Sequence, residues 1–452
     1  MATELATETD IYQEAFQALR ERLRKRGGNE LPSWMERLRE SAFARYEKLG
    51  FPNVKQEEWK YTNVAPIAKT KFAFDATPAR EFDATRLEHL VYPEARRSRI
   101  VFINGAYSAR ASALDALPAG VVAMNLFEAL GDQRYEEAVR EHLAHVGAAD
   151  SGNAFTALNT AFLADGAFIF IPQNVRVESP LHLLFLSDVT KAQTIFFPRV
   201  LIIAERDSAA TLIESYTHTG SEERYLTNAV VEVVLADGAR FEHYKVQREG
   251  AQSFHMATTN AVLKRNSSYN ATNVTLGAAL SRHDVHVALE DEGAECWVDG
   301  LYLVSDEQHT DTHSLIDHRK PRCTSHQLYK GILDGRSRAV FNGKIFVREG
   351  AQQTDAFQTN RNLLLSNETR VDTKPQLEIF ADDVKCSHGA TVGQLDEEEL
   401  FYLTSRGLHP DLARNLLTYG FAEEIVAKIK IESIKAQLNE AVLHRLHARL
   451  ET

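Results

Sequence analysis

Cysteine is scarce in this chain: Cys296, Cys323 and Cys386 are the three thiols among 452 residues. They are too few and too scattered for a disulfide framework, which suits a reducing compartment. Nor can they supply the four thiolates of an all-cysteine iron–sulfur cluster, so any such cluster would need ligands from elsewhere. Long hydrophobic runs are missing too. AFIFIP and RVLIIAE are strand-sized, well below the roughly 20 apolar residues that span a bilayer, and no membrane partner is expected. The opening MATELATETD is acidic and lacks an apolar core, so neither a secretory signal nor an Arg-rich transit peptide is expected, and the expected location is cytoplasmic. Dense basic patches are lacking and the formal net charge is −12, which argues against nucleic acid as a partner.

The common catalytic signatures are absent as well. Gly343-Lys344 is followed by Ile and has no upstream glycine at phosphate-loop spacing, so ATP binding through a P-loop is excluded. There is no G-x-G-x-x-G, G-x-S-x-G or H-E-x-x-H, which removes the autonomous enzymes of those classes.

What is present falls into three parts. Tyr12, Phe16, Leu19 and Leu23 form one stripe of an amphipathic helix that Gly27-Gly28 ends, and LPSWMERLRESAFARYEKLGF reads as a second helix between Pro32-Ser33 and Gly50. RIVFINGAYS reads as a strand and turn, NLFEAL and RYEEAVREHLAHV as helices. From about Phe168 the period changes to short alternating β-rich segments such as HLLFL, RVLIIAE and AVVEVVLADGARFEHYKVQ. An acidic residue, Gly or Ser, then Ala recurs between them, as in Asp165-Gly166-Ala167, Asp207-Ser208-Ala209, Asp237-Gly238-Ala239, Glu249-Gly250-Ala251, Glu292-Gly293-Ala294 and Glu349-Gly350-Ala351. Turn-punctuated strands with almost no helix between them point to a large sandwich or a β-solenoid. The solenoid fits better, because the strands do not sort into hairpins with Asn-Gly turns. After Gly389 the helical period returns: Asp396 to Glu399 fill a first turn, Gly407 suits a C′ position, Pro410 opens another helix, and Ile431, Ile434, Leu438, Val442, Leu446 and Leu450 make a further stripe. The expected division is an N-terminal mainly helical region 1–155, a central β domain 156–390 and a C-terminal helical region 391–452.

Three groups of residues could carry chemistry. His309, Asp311 and His313 alternate in HTDTHSLIDH and share one face of a strand, giving either a zinc or iron site or a hydrogen-bonded polar face. In Arg282-His283-Asp284-Val285-His286, Val285, Val287 and Leu289 claim the core, leaving Asp284, His286 and Glu290 for water. Cys386-Ser387-His388 is expected in a loop between the β region and a helix; a metal site, a thiolate–imidazole nucleophile and a plain turn with a packed thiol all remain open.

VKCSHGATVGQLDEEELFYLTSRGL, together with YKGILDGRSRAVFNGKIFVREGAQQTDAFQTNRNLLLSNETRVDTKPQLEIFADD upstream, resembles the signature of the SufB/SufD family, scaffold subunits of the Suf iron–sulfur cluster assembly machine. LGFPNVKQEEWKYTNVAPI and ALNTAFLADGAFIFIPQNV resemble the family's N-terminal segment and the entry to its central domain. The resemblance favours the SufD branch. Asn360-Arg361-Asn362-Leu363-Leu364 lacks the cysteine of the Cys-Asp-x-Leu-Leu element of SufB, Ser387-His388-Gly389 stands where SufB reads His-Glu-Ala, and WKYT is a SufD segment. It implies a right-handed parallel β-helix flanked by helical regions, and a non-catalytic subunit in a complex with one SufB and two copies of the ATPase SufC. SufC would dock on the C-terminal helices, with the Ile431–Leu450 stripe and the helix after Leu395 as candidate surfaces. SufB would pair through the β-helix. His388 would then be a metal ligand, with Cys386 nearby, at a transient iron or nascent-cluster site shared with SufB; a flavin on the complex is left open and no nucleotide is expected on this chain. The alternatives are a SufB-like homodimer, a β-helix carbohydrate-active enzyme and a zinc hydrolase built on His309, Asp311 and His313.

Overall fold

The computed structural model describes residues 2–25, 32–74, 84–145, 153–189, 193–220 and 223–447. Its centre is a parallel β-solenoid in which alternate strands go to alternate sheets. One sheet stacks Arg199–Ala204, Tyr225–Leu235, Phe254–Leu263, Leu280–Leu289, His309–His318, Arg338–Val347 and Arg370–Ile379; the other stacks Ala209–His218, Arg240–Arg248, Ser268–Thr275, Glu295–Val304, Thr324–Leu333, Thr354–Leu364 and Val384–Gly393. Register partners are 27 residues apart where Ser268 faces Glu295 and 31 apart where Thr324 faces Asp355, so each coil is one strand per sheet plus two corners.

The acidic-small-Ala element lies at these corners. Ala167 and Ala209 open strands, Ala239 and Ala294 immediately precede them, and Ala251 and Ala351 lie three residues ahead of Phe254 and Thr354. Two corners require glycine outright: Gly238 has φ 69° and Gly293 φ 71°. A Cβ there would sit 2.3 Å from Asp207 Oδ1 or from Asn266 Oδ1 of the preceding coil.

Because a strand's side chains alternate, each sheet has an inward and an outward face. Val285, Val287 and Leu289 point into the solenoid and are buried. Parts of the outward faces are also covered. Helices Ala2–Lys25 and Ser33–Leu49, with Ala154–Ala161, pack Tyr12, Phe16, Phe43 and Phe155 over Met256 and Leu280 of the first sheet. Gly50 lies past the second helix with φ 60°, where the chain turns away; Gly27-Gly28 lies outside the described residues. This covering overturns the expectation that Asp284 and His286 face water. Asp284 is buried, ion-paired to Arg282 at 2.8 Å, and accepts from Asn153 Nδ2 at 3.2 Å; His286 is hydrogen-bonded to Asn260.

The second sheet is covered by the C-terminal helices. Ile431, Ile434, Leu438 and Val442 of the last stripe pack against Tyr244, Val246, Val274, Leu301 and Leu303, so this part of the stripe is core and not a free docking face; the side chains of Leu446 and Leu450 lie outside the described residues. Among the described residues no helix is long and apolar enough to cross a membrane.

Candidate functional site

The solenoid ends without a cap among the described residues. Arg370–Ile379 and Val384–Gly393 are the outermost strands of their sheets, and each has one edge unpaired. Ser387-His388-Gly389 is thus within a strand, not in the loop expected from sequence. The loop reading came from the helical period that returns after Gly389, but the strand runs on through that glycine to Gly393 because the neighbouring coil supplies its pairing.

Register fixes which way these side chains point. Cys386, His388, Ala390 and Val392 pair with Ala356, Gln358, Asn360 and Asn362, all four of them buried inside the solenoid. His388 is therefore on the inward face of the last coil, at the open mouth, and is exposed because no further coil covers it. Cys386 is half-buried beside Ile345, Val347, Ala356, Leu377 and Val384. Burial, then the Asp355 carboxylate, push its thiol above the ordinary range, so in the lone chain it is a thiol, not a ready nucleophile. Lining the mouth, Gln358 Oε1 and Thr373 Oγ1 have no hydrogen-bond partner among the described residues. Orphaned buried polar atoms of this kind are rare in folded chains and mark a place where a partner is missing.

Asp311 and His313 also come together, but Asp311 is already paired with a cation of the chain itself, and His309 contacts Thr62 at 3.2 Å. Arg282 ion-pairs Asp311 at 2.9 Å and Asp284 at 2.8 Å, and stacks on Trp59 with its guanidinium carbon 3.7 Å from the ring centroid. His313 contacts Asp311 at 3.0 Å and Glu58 at 3.3 Å, while Thr62 donates to Asp311 at 2.6 Å. Arg282 also donates to the Glu58 carbonyl at 2.7 Å. Burial disfavours charge on His313, but Asp311, with Glu58, outweighs it and holds the imidazole at about 9. The cluster is thus an ionic staple for the segment from Glu57 to Thr62, which includes the Trp59-Lys60-Tyr61-Thr62 motif. Among the described residues no group of three or more His, Cys, Asp or Glu is arranged to hold a metal ion. Cys386 and His388 can offer two donors at most, and a site built on them needs others from outside the chain.

Sequence reasoning missed the polar interior. Glu214 lies 2.7 Å from His243 and 3.6 Å from Lys245, and Glu249 lies 2.6 Å from His255, all inside the solenoid. Burial would raise Glu214, yet Lys245 and His243 hold it down at about 2. Gln358 was missed for the same reason. The signal was parity: Ala356, Gln358, Asn360 and Asn362 alternate in TDAFQTNRNLL, but polar side chains at core parity read as a solvent face until the second layer is known.

Beyond the mouth, Asp396 caps helix Glu397–Ser405 by accepting from the amides of Glu398 and Glu399, and the helix has no buried residue. Phe401 is 74% and Tyr402 56% exposed, and Leu412 and Leu416 of the next helix, Pro410–Val426, are exposed beside solvent too. This apolar surface is uncovered, whereas the Ile431–Val442 stripe is packed against the second sheet.

Two family models together span almost the whole chain: "SUF system FeS cluster assembly, SufBD core domain" matches residues 186–421 and "SufBD protein N-terminal region" residues 7–183. An iron-sulfur cluster assembly SufBD family protein of Synechocystis is 36% identical over 449 residues, covering 97% of each chain. The iron-sulfur cluster assembly protein SufD of Escherichia coli is 32% identical over 89% of this chain and 90% of its own. The SufD of Bacillus subtilis is 26% identical over 96% and 98%. With its parallel solenoid, helical flanks and matches along both regions, this chain belongs to the SufBD family of iron–sulfur cluster assembly proteins.

Proposed function

We propose that this chain is a non-catalytic, cytoplasmic scaffold subunit of a Suf complex, with 1–155 as a covering region, 156–390 as the scaffold and 391–452 as the dock for a SufC-type ATPase. The observation that carries the reading is the uncapped last coil, where His388 and Cys386 stand at an open mouth between two unpaired strand edges. Unpaired edges are normally blunted by charge, proline or cover. Here they lie beside the exposed Ile379, Phe380 and Val392, a surface suited to a sister solenoid adding main-chain and apolar contacts. A SufB-type subunit seated there would close the mouth and add the ligands this chain lacks.

The chemistry at the mouth follows from the donors. A neutral imidazole offers one ring nitrogen to iron, and mixed ligation shared between subunits suits a nascent cluster that is cargo to be released. Phe401, Tyr402, Leu412 and Leu416 form the proposed dock. Only Gln394, Leu395 and Asp396 separate the strand bearing His388 from the docking helix, so displacement of that helix would pull directly on the site. For such movement to matter, the ATPase's nucleotide states must favour different scaffold arrangements.

The experiment is iron and acid-labile sulfide in the complex formed by co-expressing this chain with its SufB and SufC, wild type against His388→Ala. Intact assembly with lost iron and sulfide is the expected result. Equal content in both would remove His388 from the mechanism and leave the chain as half of the scaffold.

A further inference from the structure

We propose that Gln358 is the positioning residue of His388: its amide oxygen holds one imidazole nitrogen so that the other turns its lone pair to the mouth. The inference rests on His388 being a ligand and assigns the group that sets which ring nitrogen binds.

Gln358 is directly beneath His388 in register and is 1% exposed. Its Nε2 donates to Gln327 Oε1, one coil further down, at 2.6 Å, and Ser314 Oγ donates to the same oxygen at 3.4 Å. In this arrangement the amide nitrogen of Gln358 is directed to the coil below. The two ends of a carboxamide diverge by about 120°, so a nitrogen turned to the coil below leaves the oxygen for the coil above, whose register residue is His388. Gln358 Oε1 has no partner among the described residues. Space for the amide is built in from the opposite sheet, because a Cβ at Gly343 would fall 2.3 Å from Nε2 and 2.9 Å from Oε1.

The chemistry gives that oxygen a use. A neutral imidazole carries one N–H and one lone pair, and a ligating histidine commonly donates its N–H to an oxygen acceptor, which fixes the tautomer and the ring orientation. Gln358, the register neighbour of His388 with its other end tied down, is the acceptor we assign to it.

The test compares wild type, Gln358→Met and Gln358→Glu in the complex co-expressed with the sister subunit and the ATPase. Neither variant keeps the amide donation to Gln327, and the structural damage of each is read separately by its thermal midpoint. Only the glutamate keeps an acceptor for the imidazole. Iron retention against a series of competing chelator concentrations should weaken tenfold or more in Gln358→Met, the usual range for removing a group that orients a metal ligand, and stay within about threefold of wild type in Gln358→Glu. Equal retention in Gln358→Met and wild type, or equal loss in both variants, overturns the positioning role while His388→Ala still loses iron. If His388→Ala retains its iron, the ligand reading and this inference fall together.

Discussion

The ionic staple between the β-solenoid and the segment Glu57 to Thr62 yields a prediction with a magnitude and a sign. His313 is held at about 9 in the folded chain against an ordinary 6.5. A group whose folded value is raised stabilises the folded form fully below its unfolded value and stops doing so as the pH rises through the folded one. His313 should therefore contribute at most about 3 kcal/mol to global stability at pH 6 and well under about 1 kcal/mol at pH 9, an upper bound because Glu58, one of its two carboxylates, faces water. Asp311, on the same strand as His313, keeps its part of this energy when the segment opens; the part that acts locally is the His313 contact with Glu58, beside those of Trp59 and Thr62 with Arg282 and Asp311. Hydrogen exchange at Trp59 and Thr62, whose amides bond to the carbonyls of Gln56 and Trp59, reports that local opening. Protection of these amides, corrected for the intrinsic rate, should fall by roughly two- to fivefold between pH 6 and pH 9 in wild type, the scale of one partly exposed ion pair. In His313→Gln it should start low and stay flat. A parallel decline in both proteins would refute the staple, since the loss would then come from another group.

Other expectations follow from exposure. At pH 8 an alkylating reagent should label Cys386 first, and Cys296 and Cys323, both buried, only after denaturation, with mass spectrometry locating the adducts. Phe380→Asp combined with Val392→Asp alters two exposed side chains at the last coil; the lone chain should keep its thermal midpoint and lose co-purification of the sister subunit. Phe401→Ala with Leu412→Ala should weaken ATPase capture by roughly thirtyfold, the scale of about 2 kcal/mol for a lost aromatic anchor, while sister pairing and iron content per pair are measured alongside.

Much of the architecture can be read from residue order. Period-two segments with corner residues but no hairpin turns imply a solenoid, because parallel coils need corners and not two-residue reversals. The helix from Ser33 to Leu49 is framed by Pro32 and Gly50, and Asp396 and Pro410 mark the starts of two others. Local signals sufficed there because caps and breakers act within one turn. Faces were harder. Asp284, His286 and the Ile431–Val442 stripe were assigned from their own strand or helix, whereas their burial depends on segments far away in sequence.

By itself, then, the sequence determined the solenoid, the placing of its corners, the helical flanks and the family likeness, since each rests on short-range periodicity or on motifs read in order. Only the tertiary structure decided that His388 is on a strand and not a loop, that it and Cys386 point inward at an uncapped end, and that Asp311 is shared between Arg282 and His313. The physical reason is that register and covering layers, not neighbours along the chain, set what a side chain faces. Stacking coils about 30 residues apart in sequence places Gln327, Gln358 and His388 in one column, and no local pattern carries that information.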